Sequence, residues 1–68
     1  MLINLVVDTR IESNGKVIFT LDDDKYVSYD TTRMCWLAFD SGKYIVYDAV
    51  QDLDGHLLGF YRIDILSC

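Results

Sequence analysis

The chain has 68 residues, 51% apolar and 13% aromatic, with six Lys and Arg against eleven Asp and Glu and a net charge of −5. That length holds one domain, residues 1–68; a chain of about 60 residues buries only about 60% of the surface its unfolded form exposes, while the high apolar content argues against disorder. The acidity repels phosphate backbones and disfavours direct nucleic-acid binding, and no apolar run approaches the ~20 residues of a membrane span.

Residues 2–12 largely alternate, with Ile3, Leu5, Val7 and Ile11 on one face of a predicted strand and Asn4, Asp8, Arg10 and Glu12 on the other. Leu2 and Val6 break the pattern by falling on the polar face. Ser13-Asn14-Gly15 closes a hairpin, because Asn-Gly favours positive φ. A three-residue loop sets Glu12 opposite Lys16 and Ile11 opposite Val17, which suits both charge and burial better than a two-residue loop.

The second strand, Lys16–Leu21, places Val17, Phe19 and Leu21 on the core face. Three adjacent carboxylates, Asp22, Asp23 and Asp24, then make a solvated turn. The third strand, Lys25–Tyr29, sets Val27 across from Phe19 and Tyr29 across from Val17. Beyond Asp30-Thr31-Thr32-Arg33, the aromatic and apolar density of Met34–Phe39 predicts a strand. The alternative is a short helix over residues 31–39, N-capped by Asp30.

Asp40-Ser41-Gly42 turns the chain into Lys43–Gln51, where Tyr44 and Val46 on one face and Ile45 and Tyr47 on the other predict a central or interfacial strand. Met34–Tyr47 holds the one Trp and four of the nine aromatics, and is the expected centre of the core. Asp52-Leu53-Asp54-Gly55 is a further turn, and His56–Leu66 a last strand in which Gly59 permits a bulge. The fold expected is all-β: an antiparallel meander of five or six strands curling into a barrel-like sheet, or α+β if residues 31–39 are helical.

Catalytic candidates are thin. His56 is the one histidine, and no nucleophile is tied to it by spacing, so a non-enzymatic protein without a cofactor is expected. Asp52, Asp54 and His56 alternate like metal ligands and resemble the opening of a calcium loop, yet the closing bidentate Glu is missing; turn chemistry accounts for them without an ion. Cys35 reads as a small buried hydrophobe. A bridge from it to Cys68 is conceivable, but two cysteines make no disulfide framework. The absence of a signal-like start fits a cytoplasmic protein complete as its own reading frame.

The surplus of apolar and aromatic residues points to an interface. Trp36, Tyr47 and Tyr61 are its expected aromatic anchors, because their strands look apolar on both faces. Asp22, Asp23, Asp24, Asp40, Asp52 and Asp54 are the expected charged contacts to a protein partner with a basic surface. Those features suggest a stand-alone binding module of the kind phages and mobile elements encode, inhibiting a larger protein by covering a functional surface, of which a nucleic-acid-binding one is an example. A structural protein assembling as a homodimer or higher oligomer is the alternative.

Overall fold

The computed structural model describes residues 2–67 and contains strands and turns only. Its six strands are β1 (Asn4–Ile11), β2 (Val17–Leu21), β3 (Tyr26–Asp30), β4 (Cys35–Asp40), β5 (Lys43–Gln51) and β6 (Leu57–Ser67). All pair antiparallel in chain order, and β6 returns to β1 to close a barrel. The all-β meander is as expected, and residues 31–39 form a turn and a strand, not a helix.

Three hairpins share one turn design. The first residue's N–H donates to the fifth residue's carbonyl at Glu12–Lys16 (2.8 Å), Leu21–Lys25 (2.9 Å) and Asp52–His56 (2.8 Å), and the fourth residue's N–H returns to the first carbonyl. That fourth residue is left-handed in each: Gly15 at φ +85°, Asp24 at +68° and Gly55 at +83°. This is the three-residue loop followed by a bulge, and it yields the expected partners Ile11–Val17 and Phe19–Val27.

Phe60, Leu21 and Val27 are fully buried at the centre, with Ala38, Ile45 and Tyr47 around them; Val6, Phe19, Trp36, Ala49 and Leu57 pack against this cluster. Phe60 joins the rings, 5.1 Å from Trp36, 5.7 Å from Phe19 and 6.2 Å from Tyr47 between centroids. Ile18, Leu37 and Val46 are buried outside that cluster. Cross-strand partners Leu37 and Val46 share the outward register.

The face predicted for β1 is corrected. Val6 packs on the core, while Leu5, Val7 and Ile11 are exposed. Val6 pairs with Leu21 and Asp8 with Thr20, so Val7 is an extra residue that resets the alternation. Ile11 follows that bulge at the barrel rim. Two further register breaks fall on β6, at Leu58 and Ile63. Gly59, expected to permit a bulge, adjoins one, and its stronger role is steric: a Cβ there would overlap the Asn4 carbonyl and lie 3.1 Å from Leu5 Cα.

Candidate functional site

In a closed meander, alternate turns lie at opposite ends. The turns at residues 12–16, 31–34 and 52–56 therefore share one end, and those at 22–25 and 41–42 share the other. Between these ends the barrel wall opens. Strands β2 and β3 pair only at Phe19–Val27 and Thr20–Tyr26; beyond this, Val17 and Ile18 pair with β1, and Ser28, Tyr29 and Asp30 pair with β4. The expected Val17–Tyr29 pair is not formed.

The parting of the two strands leaves a cleft of about 930 Å³. Tyr26, Tyr29, Trp36, Phe39 and Tyr44 line it, five of the nine aromatics of the chain. Ile18 and Leu37, both buried, line it as well. Tyr26 and Phe39 are 58% and 63% exposed, so their rings are available to a partner. Tyr29 stacks edge-on to Trp36 at 5.1 Å, and Phe39 to Tyr44 at 5.3 Å, which holds four of the rings in fixed pairs.

Cations border the cleft. The Arg10 guanidinium lies 5.7 Å from the centre of the Tyr26 ring and that of Arg33 lies 5.0 Å from the centre of the Tyr44 ring, both within cation–π range. Lys16 lines the cleft directly. Asp30 is consumed locally: one oxygen accepts the Thr32 and Arg33 N–H groups at 2.9 Å each, and the other binds Arg33 Nη1 at 2.8 Å. The Arg33 backbone hydrogen bond is the largest influence holding the Asp30 carboxyl below its ordinary range. Among the described residues, neither Arg10 nor Lys16 has a carboxylate within ion-pair distance.

The predicted charged residues do not come together. Asp22, Asp23, Asp24 and Asp40 lie toward one end of the barrel, while Asp52 and Asp54 lie at the other. Several serve the turns themselves. Asp22 accepts from Asn4 Nδ2 at 3.0 Å, chiefly through which its pKa is lowered; Asp23 binds Lys25 at 3.2 Å; Asp52 Oδ1 accepts the Asp54 and His56 N–H groups at 2.9 Å each. None of them lines the cleft.

The aromatic expectations are corrected in part. Tyr47 is 4% exposed and belongs to the core, where burial raises its phenol pKa. Trp36 is half-buried and bridges core and cleft. These two residues are cross-strand partners facing inward, and a barrel closed by β6 encloses that face. Tyr61 is half-buried and donates to Asp48 Oδ2 at 3.1 Å, away from the cleft lining; this bond raises its pKa. The cleft instead uses Tyr26, Tyr29, Phe39 and Tyr44. Counting outward from Val27 as an inward residue finds Tyr26, and the Asp40-Ser41-Gly42 turn puts Phe39 beside Tyr44.

Asp52, Asp54 and His56 can each direct one ligand atom to a common point, these atoms lying within 4.8 Å of one another, all exposed. One Asp52 oxygen is engaged by the turn, and the other is 3.7 Å from His56 Nδ1. The turn thus explains the aspartate and glycine pattern of this segment. Among the described residues, no helix is long and apolar enough to cross a membrane.

Comparison of the chain with protein-family models, with curated proteins and with solved structures finds no match.

Proposed function

We propose that this protein is a non-enzymatic binding module that engages a larger protein through the aromatic cleft between β2 and β3. The observation that carries this reading is the gathering of five aromatic residues around one opening of about 930 Å³, in a chain with nine such residues. Aromatic anchors in a partly enclosed pocket supply most of the binding energy of typical protein interfaces. Acting stoichiometrically, such a module inhibits by covering the surface it binds. The aspartates at the far end of the barrel form a separate charged surface that suits a basic neighbour of the bound partner.

The test compares baits. Tyr26→Ser and Phe39→Ser alter exposed rings, so the double variant keeps the barrel, as circular dichroism will verify. Wild-type protein and the double variant are immobilised and exposed to lysate from the source, at low and high salt, with the solution mass of each bait measured in parallel. A stoichiometric partner held by wild type and lost by the variant supports the reading. Equal recovery by both baits removes the cleft from the interface. No partner, with a bait mass at a multiple of the monomer, transfers the weight to self-assembly.

A further inference from the structure

The cleft is bordered by main chain as well as by rings. In an antiparallel ladder, successive residues of a strand direct their N–H and C=O groups to alternate sides. The Leu21 N–H donates to the Lys25 carbonyl, so the odd-numbered residues of β2 direct these groups toward β3. Phe19 uses them on Val27. Two residues further on, Val17 and Tyr29 direct theirs into the opening, and neither has a partner there in the ladder. No turn or side chain substitutes for the missing partner: among the described residues, neither appears in a hydrogen bond outside the strands.

Charge at the cleft is opposite in sign to that of the whole chain. Arg10, on the ring of Tyr26, and Lys16, on the cleft lining, carry no ion pair among the described residues, whereas Asp30 is neutralised by Arg33. Glu12 faces Lys16 across the hairpin turn without reaching ion-pair distance. An occupant must therefore offer main-chain donors and acceptors in extended form, an apolar side chain for the rings, and a carboxylate for Arg10 and Lys16.

We infer that the cleft takes an extended acidic peptide segment, which adds to the open edge at Val17 or Tyr29 by strand pairing and directs a carboxylate to Arg10 and Lys16. Main-chain bonds supply affinity in this mode and alternate side-chain pockets supply selectivity. The inference rests on the proposed role of the cleft as the binding site and adds the chemistry of its occupant. A single-stranded nucleic acid would also stack on the rings and meet the cations, but it offers no peptide amides to the strand edge, and the net charge of −5 opposes its approach.

Amide hydrogen exchange followed by NMR tests the edge directly. In the free protein, Val17 and Tyr29 should exchange fast while Phe19 and Val27 are protected; protection of both Val17 and Tyr29 would overturn the inference before any ligand is added. Twelve-residue random peptides displayed on phage are then selected on the wild-type protein, and the recovered sequences synthesised. The expected peptides carry Asp or Glu among β-branched residues, lack a central proline, slow exchange at Val17 or Tyr29, and bind at least tenfold more weakly to Arg10→Glu and Lys16→Glu.

Peptides that are basic or proline-rich, that leave the exchange at both positions unchanged, or that fail to be enriched at all, overturn strand addition of an acidic segment. So does an oligothymidine of twelve nucleotides that binds the cleft more tightly than the recovered peptides. The broader reading is judged by the Tyr26→Ser, Phe39→Ser double variant: peptides or partners that bind it as well as wild type overturn the cleft as a site. Binding that needs the rings but not the strand edge overturns only the inference drawn here.

Discussion

Strands β1 and β6 meet through Asn4–Phe60 and Leu5–Gly59, while β2 and β3 meet through Phe19–Val27 and Thr20–Tyr26. Two ladders of equal length thus lead to opposite results. At the β1–β6 seam, Gly59 lets the facing backbone approach so closely that no side chain fits, and fully buried Phe60 fills the interior beside it. Past the seam, β6 carries a bulge at Ile63 flanked by Arg62 and Asp64, features that deter another strand from pairing with an edge. At the β2–β3 opening, the edges at Val17 and Tyr29 have no bulge, each has a single charged neighbour, Lys16 and Asp30, of which Asp30 is paired with Arg33, and rings surround them. A closed barrel here guards one of its gaps and leaves the other suited to contact.

The largest effect that would sharpen this contrast is expected at Phe60. Phe60→Ala removes the ring that links Trp36, Phe19 and Tyr47, and should destabilise by about 3–5 kcal/mol, much of the stability of a domain this small. Urea denaturation measures it. A loss under 1 kcal/mol would mean that the seam is not the keystone of the core.

Gly59→Ala comes next, at about 3 kcal/mol, because the atom it meets is backbone and cannot rotate away. The same measurement on Phe39→Ser, at the opening, should move stability by only about 1 kcal/mol, the worth of its edge-on pair with Tyr44. If the two changes prove equal, the two gaps are not energetically distinct.

A gain is expected at the turn beside the opening. Met34 is left-handed at φ +58° and is 71% exposed, so Met34→Gly should stabilise by about 1 kcal/mol through relief of backbone strain. A loss would show that its side chain contributes more than its conformation costs.

The smallest effect is acid sensitivity, and it touches both gaps. Asp22 is bonded to Asn4 of the seam and Asp30 anchors the turn at the opening; both have pKa values lowered in the fold, the first chiefly by the Asn4 hydrogen bond and the second chiefly by the Arg33 N–H. Their stabilisation is therefore complete above the unfolded value of about 3.9 and is lost as pH falls through the lower folded values. Urea midpoints should drop between pH 6 and pH 2.5, and Asp22→Asn and Asp30→Asn should each flatten the drop. An unchanged slope in both variants would remove these carboxylates as its source.

Much of the fold could be read from local chemistry. The turns are written in Asn14-Gly15, in the Asp22–Asp24 run and in Ser41-Gly42, and the Lys43–Gln51 strand has the predicted bounds. What escaped reading was non-local. The bulge at Val7 shifts the inferred face over the first half of β1, and in that run only Val6, apolar on the polar face, marks it. Tyr47 and Tyr44 look alike in an apolar strand, and only closure by β6 decides that the first is enclosed and the second lines the cleft. The aspartates share a residue type but not a location, because a meander sends consecutive turns to opposite ends. The cleft itself arises from pairs that do not form, and pattern reading predicts pairs, not their absence.

The seam has a kinetic consequence. Every other ladder joins neighbours in the chain, whereas Asn4–Phe60 spans nearly its whole length. Local hairpins form on the microsecond scale, but a contact of that separation must first meet the entropy of closing a long loop. Closure of β1 on β6 is thus expected late in folding, after the rate-limiting barrier. Changes at Gly59 should accordingly appear as faster unfolding with a nearly unaltered folding rate, so the lifetime of the barrel is set where its two ends meet.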